Sequence, residues 1–304
     1  MGGAAATPSI MKIFDRKFGK EFCESLPSGP GVYRMLDDSG VVVYVGKAKN
    51  LRRRLGQYRN AKRRKKHRKM KSIVADARTI SFETCATELE ASLLESRLIR
   101  ELRPKWNVAG AFHFLYPMIG LRAAEGEILI AYTTTPETFS TFELHGAYRS
   151  RWIVRDAFFA LTRLLPYLLH PIPPAKLLGA DWREKRPKYS YLWGFRTGAD
   201  RSFGADSWRR FFAGRDHTAL EELSLALLDH PDACRSAEKV QEDLKLVQRF
   251  WRHEATRLAK AIDSTGHPTY PVLQVERDDL FLKHRFARIA RREAREARAA
   301  EAST

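Results

Sequence analysis

The clearest order along the chain lies in its first third. Gly31-Val-Tyr-Arg-Met-Leu36 and Val41-Val-Val-Tyr-Val45 are rich in β-branched and aromatic residues, with turn chemistry in Asp37-Asp-Ser-Gly40 between them. The pair predicts an antiparallel hairpin. Residues about 50–59 and 62–76 have helical composition, and Thr79-Ile-Ser-Phe-Glu-Thr84 predicts a third strand. The strongest helix follows. Thr87 and Glu90 have capping-box spacing, Ala91, Leu94, Leu98 and Leu102 recur at helical steps, and Pro104 closes the run. Glu95 falls beside that apolar stripe, at the edge of the face a helix would bury. Residues 1–25 predict a mobile lead with one short helix. Beyond Asn107 the pattern loosens: a β-like run at Glu127–Thr135, an apolar helix at Arg155–Leu169 and a linker at Pro171-Ile-Pro-Pro174. Helices over Thr218–Leu228 and Ala237–Ala261 then predict a mostly helical C-terminal region. The expected class is α+β: a small domain with a three-stranded, mainly antiparallel sheet flanked by helices, followed by that helical region. Five segments result: a lead (1–25), the small domain (26–110), a connecting region with strands and a helix (111–175), a helical domain (176–282) and a basic tail (283–304).

Charge sharpens the picture. The 304 residues hold 54 Lys and Arg against 36 Asp and Glu, a net +18. Between Asp38 and Asp76 there is no acid, but fourteen lysines and arginines, from Lys47 to Lys71. A second run, Lys283 to Arg298, holds seven basic residues against Glu293 and Glu296. A phosphate backbone is the natural partner of the first run, because each neutralised phosphate releases counterions. The second reads as a solvated helix face or a flexible arm. With 44% hydrophobic and 30% charged residues, a packed core is expected rather than disorder. No apolar run approaches the roughly 18 residues of a membrane span, and the first ten residues lack the order of a secretory signal. Cys23, Cys85 and Cys234 lie far apart, which excludes a disulfide framework or a four-cysteine metal site within one chain. The expectation is a soluble, intracellular, basic protein.

The candidate chemistry is a set of ordered motifs. Tyr33 and Tyr44 fall on the paired strands, and Tyr44-Val-Gly-Lys-Ala-Lys-Asn-Leu-Arg-Arg-Arg54 leads from strand to helix. About forty residues later comes Leu93-Leu-Glu-Ser-Arg-Leu-Ile-Arg-Glu-Leu-Arg-Pro-Lys-Trp-Asn107. From Leu26-Pro-Ser-Gly-Pro-Gly-Val-Tyr33 to Asn107-Val108 the chain resembles the GIY-YIG nuclease family, in the form found in UvrC, the nuclease subunit of bacterial excision repair. Gly31-Val-Tyr33 stands for the first signature. The resemblance implies that Glu95 is the sole protein ligand of one divalent ion, Mg²⁺ or Mn²⁺, whose other ligands are water and phosphate oxygens. It implies that Arg54 binds the scissile phosphate, and that Tyr33 and Tyr44 line the attack side, one activating or orienting water. A phenol with a pKa of about 10 is a poor base, and nearby Lys47 and Lys49 are expected to favour the phenolate. Lys47 therefore joins the catalytic set. Gly46 is expected to let backbone and phosphate approach closely, and Asn107 to fix the active-site end of the sheet. Gly46, Lys49, Arg52, Arg53, Arg63, Arg64, Lys65 and Lys66 are the phosphate- and DNA-binding candidates. Trp182, Trp193, Trp208 and Trp251 default to core packing.

The function implied is a metal-dependent DNA endonuclease making a UvrC-like single incision in nucleotide excision repair. Full-length UvrC also carries an RNase H-like nuclease and helix-hairpin-helix repeats, for which 304 residues leave no room; hence one cut rather than two. DNA is the implied substrate, a damage-recognition repair protein the implied partner, and the bacterial cytoplasm at the nucleoid the implied location, with no membrane contact. Two other readings fit the same residues: a freestanding endonuclease of a phage, mobile element or restriction system, and a non-catalytic DNA-binding protein that kept the fold. Against the last, Tyr33, Tyr44, Arg54, Glu95 and Asn107 are all present.

Overall fold

The computed structural model describes residues 12–61, 67–107, 116–124, 126–173, 187, 189–197 and 204–301. They belong to two compact units that divide between residues 112 and 113.

In the first unit, β1 (Gly31–Leu36), β2 (Val42–Ala48) and β3 (Thr79–Thr84) form an antiparallel sheet in the order β2-β1-β3. Asp37 makes the hairpin turn: its Oδ1 accepts from the backbone N–H of Ser39 (3.0 Å) and Val41 (2.9 Å). Gly40 takes the positive φ (78°) that the turn requires. Helix α3 (Leu51–Arg59) starts where Asn50 caps the Arg53 N–H at 2.8 Å, and it buries Leu51, Leu55 and Tyr58 at helical spacing. Helix α4 (Arg68–Asp76) follows. These helices pack with Tyr33, Met35, Val43 and Ala48. Helix α5 (Glu88–Leu102) lays Ala91, Leu98 and Ile99 against Val32 and Val45 in a separate cluster. The Thr87 hydroxyl accepts from the Glu90 N–H, while the Glu90 carboxylate accepts from Ala86, one residue ahead of the cap. The apolar stripe stops short of Leu102, which is 45% exposed. Arg103 ends the helix in the left-handed region, at φ 44°.

The expected mobile lead needs correction over residues 12–25. They form α1 (Ile13–Phe18) and α2 (Phe22–Ser25), and Phe14 and Cys23 enter the core. Lys17 Nζ ties α1 down by donating to the carbonyls of Val74 (2.9 Å) and Ala77 (2.7 Å). Aromatic burial and these bonds supply what the short polar sequence does not advertise.

The second unit is mostly helical but is built on a second sheet. Strands β4 (Met118–Ala124), β5 (Glu127–Thr133), β6 (Glu143–His145), β7 (His170–Ile172) and β8 (Tyr191–Arg196) run antiparallel in the order β6-β4-β5-β8-β7. Residues 171 and 172, expected in a linker, belong to β7, whose three residues are too few to carry a period. Helix α6 (Arg151–Leu164) contributes Val154, Phe158 and Leu161 to a core shared with Tyr132, Phe195, Phe211 and Phe250. Helices at Ala205–Phe212, Thr218–Leu228, Pro231–Arg235, Ala237–Phe250, Thr256–Thr265 and Arg277–Glu301 complete the unit. The helix expected over Ala237–Ala261 is interrupted by a π-helical turn at Trp251–Ala255. Residues 283–301 lie within the last helix. Trp208 is buried, and Trp193 and Trp251 pack against the core; Trp182 lies outside the described residues. Among the described residues, no helix is long and apolar enough to cross a membrane.

Candidate active site

The site forms on the free edge and one face of β2. In the antiparallel register Gly31 faces Ala48, Tyr33 faces Gly46 and Met35 faces Tyr44. The odd positions of β2 therefore aim their backbone groups away from β1, and β2 is an edge strand. Three groups from outside the sheet satisfy that edge. The Trp106 N–H donates to the Val43 carbonyl (3.0 Å). The Asn107 side chain takes both groups of Val45, Oδ1 accepting from N–H and Nδ2 donating to C=O, each at 2.8 Å. The Lys47 N–H donates to Glu95 Oε1 at 3.0 Å. Asn107 and Glu95 are thus held at neighbouring rungs of one strand, two residues apart.

Alternation along the strands places Tyr33, Tyr44 and Gly46 on the opposite side from Val45 and Lys47. A Cβ at Gly46 would lie 2.5 Å from Oη of Tyr33 and 2.9 Å from a ring carbon of Tyr44. Gly46 therefore makes room for the tyrosine rings, which corrects the expectation that it clears a path for phosphate. The Tyr33 and Tyr44 centroids lie 6.1 Å apart, and Tyr58 joins them at 5.9 and 6.4 Å. Tyr33 is fully buried; its hydroxyl donates to that of Tyr58 (3.1 Å) and accepts from Arg54 Nε (3.3 Å). Arg54 also donates to Gln57 Oε1 (2.8 Å), and its guanidinium lies over the Tyr58 ring at 5.5 Å.

Burial, reinforced by Tyr44, holds the Tyr33 phenol far above its ordinary pKa, although the Arg54 charge pulls the other way. Burial and the neighbouring tyrosines do the same to Tyr58. The expectation that Lys47 and Lys49 ease tyrosine ionisation is corrected for Tyr33. Lys47 Nζ donates to Ser92 Oγ (2.6 Å), Lys49 pairs with Glu88 (2.7 Å), and the cation at the Tyr33 hydroxyl is Arg54. Glu95 has its own imbalance. Burial raises its pKa against the opposing pull of the Lys47 N–H, the Lys47 charge and the Arg54 charge. A half-buried carboxylate of this kind is primed to accept a compensating cation.

Lys47, Lys49, Arg53 and Arg54 come together around an open groove of about 230 Å³, with Asn50, Gln57 and Glu88 in its wall. Four cations against one acid suit a phosphate. Arg52 is placed elsewhere, with its Nε donating to the Leu26 carbonyl at 2.9 Å. Arg63, Arg64, Lys65 and Lys66 lie outside the described residues. The basic run is also less bare in space than in sequence, because Asp15 and Glu88 reach Arg59 and Lys49. Among the described residues no three His, Cys, Asp or Glu side chains converge, and the carboxylate held at this strand edge is that of Glu95. One hard carboxylate with room for water and phosphate oxygens fits Mg²⁺ or Mn²⁺. Tyr58, Gln57 and Ser92 were not legible as site residues, although Tyr58 stands four residues from Arg54 on α3, close enough to stack.

Comparison with known proteins gives the same picture for the first unit. The family model described as the UvrC-like GIY-YIG domain matches residues 29–108. The UvrABC system protein C of Yersinia pseudotuberculosis serotype O:1b is 30% identical over 246 residues, covering 76% of this chain and 38% of that protein. The protein of the same name from Rhizobium meliloti (strain 1021) is 40% identical over 108 residues, 36% of this chain and 16% of that one. The chain thus spans well under half the length of these curated relatives. Among solved structures, the GIY-YIG N-terminal endonuclease domain of UvrC from Thermotoga maritima, bound to its catalytic magnesium, is 37% identical. It aligns with 30% of this chain and 97% of its own, with a TM-score of 0.27.

Proposed function

We propose that this chain, whose residues 29–108 are a UvrC-like GIY-YIG domain, is a metal-dependent DNA endonuclease that hydrolyses one phosphodiester bond in excision repair. The observation that carries the reading is the Glu95 carboxylate, fixed by the Lys47 N–H beside the groove of Lys49, Arg53 and Arg54. A phosphodiester enters that groove, and Arg54, held in orientation by Tyr33 and Gln57, meets its oxygens. Tyr44, the half-buried tyrosine, orients the attacking water. Tyr33, sealed and protonated, acts through Arg54 and Tyr58. A divalent cation at Glu95, when bound, supplies stabilisation of the charge growing on the phosphate and the leaving oxygen. The names of the curated relatives assign them to a UvrABC system; for this chain DNA is the proposed substrate, and damage-recognition proteins of such a system are the proposed partners.

The test is nicking of supercoiled plasmid, with and without ultraviolet damage, in Mg²⁺ or Mn²⁺, beside Glu95→Gln. Metal-dependent nicking by the wild type and its loss in the variant are expected, with preference for damaged plasmid. Equal nicking by the two proteins would overturn the assignment of Glu95, and nicking indifferent to damage would overturn the repair role.

A further inference from the structure

The second unit carries a recess with a different chemistry. Tyr132, Tyr191, Trp152, Tyr189, Arg151 and Arg155 line an open cavity of about 200 Å³ between the start of α6 and the end of the sheet formed by β5 and β8. Its rings are presented rather than hidden. Trp152 is 61% exposed and Tyr189 62%, while Tyr132 is buried and Tyr191 half-buried behind them. Tyr132 and Tyr191 are cross-strand partners with centroids 5.9 Å apart, and Tyr191 is braced edge-on by Phe159 at 4.9 Å. The Arg155 guanidinium lies over the Trp152 indole at 4.3 Å. Tyr189 sits at φ 64°, unusual for a residue with a side chain, next to Ser190, whose buried hydroxyl bonds to Thr133 at 2.8 Å.

Core packing does not account for this grouping, since Trp152 and Tyr189 face solvent. Nor does helix stability: the first turn of α6 holds no acid, although its Ser150 cap is in place. Two arginines near that positive end work against the helix dipole. Asp156 approaches Arg155 at 3.5 Å, whereas Arg151 has no acidic partner among the described residues. Flat aromatic faces beside two guanidinium groups, of which Arg151 has no acidic partner among the described residues, match bases joined by phosphates in a chain of net charge +18. At about 200 Å³ the recess has the size of a single planar base, far smaller than the footprint of a duplex.

We propose that this recess binds an unpaired nucleotide of a DNA strand, its base stacked on Trp152 and Tyr189 and its phosphate held by Arg151 and Arg155. The site goes beyond the nuclease reading and does not depend on it. The sequence pattern drew attention to Trp182, Trp193, Trp208 and Trp251 and not to Trp152, the tryptophan of this recess.

The experiment titrates the full chain with an oligothymidylate and with a blunt duplex of equal length, reading tryptophan fluorescence and anisotropy. The variants are Trp152→Ala, Trp152→Phe and Arg151→Glu. Trp152→Ala is expected to weaken oligothymidylate binding about tenfold or more and to remove part of the fluorescence quenching. Trp152→Phe should restore most of the affinity, and duplex binding should change less than twofold. Arg151→Glu should weaken the unpaired strand as well. Unchanged oligothymidylate affinity in Trp152→Ala would overturn the proposal. An equal loss for duplex and single strand would also overturn it, since that marks a general basic surface. Metal-dependent nicking, measured alongside, reports on Glu95 and fails separately.

Discussion

At Gly46 a methyl group would fall 2.5 Å from a hydroxyl that is fully buried and bonded to two partners. Gly46→Ala must therefore push Tyr33 out of line with Arg54. The expected cost is about 1–3 kcal/mol of stability, as for overpacked cores, with plasmid nicking reduced at least tenfold. Thermal melts and a nicking assay check both. Glu95 makes a prediction of opposite sign. Its folded-state pKa is raised, mainly by burial, so the stability it contributes is full under acid conditions and is lost as pH rises through that value. In metal-free protein, Glu95→Gln should melt higher than the wild type at neutral pH, with the difference vanishing in acid. Added Mg²⁺ or Mn²⁺ should raise the melting point of the wild type alone. A variant that melts lower at neutral pH would show that the carboxylate is not strained there.

At the scale of elements, β2 is an edge strand whose outward groups are occupied by the Trp106 backbone N–H and by the side chains of Asn107 and Glu95 instead of another strand. Asn107 imitates one residue of a neighbouring strand by pairing with both backbone groups of Val45. Asn107→Ala leaves those groups without that pairing, and the expected loss is about 1–3 kcal/mol. Amide hydrogen exchange should locate it: the Val45 N–H should exchange faster than those of β1, and Lys47, which presents its N–H to Glu95, should follow. Unaltered protection at Val45 would mean that the Asn107 contact is dispensable. The link to function is direct, since the Glu95 carboxylate of α5 docks on the same strand edge.

For the whole molecule, the net charge of +18 predicts binding to DNA that weakens steeply with salt. Space redistributes that charge. Arg59 is spent on Asp15 and Lys49 on Glu88, while Arg68, Lys69 and Lys71 show no ion pair with an acid among the described residues. Reversing Arg68, Lys69 and Lys71 to glutamate should lower the slope of log affinity against log salt by about 0.9 for each phosphate contact removed. A slope equal to that of the wild type would assign DNA contact to other cations.

Much of the first unit was readable without coordinates, because local rules dominate it. The hairpin followed from β-branched runs around Asp37–Gly40, and α5 from Thr87, its apolar steps and Pro104. Tyr33, Tyr44, Arg54, Glu95 and Asn107 could be singled out because they recur in an ordered motif. The second sheet was largely hidden, since β6 and β7 have three residues each and β8 lies far along the chain from β5, its partner. Side-chain environment was hidden as well. That Tyr58 completes the tyrosine cluster, that Gly46 clears space for a ring and that Lys47 turns to Ser92 are consequences of register and burial. Chain order thus specifies which groups are available and which short segments form. Protonation, partners and exposure depend on atoms distant in sequence, and only the folded chain brings those together.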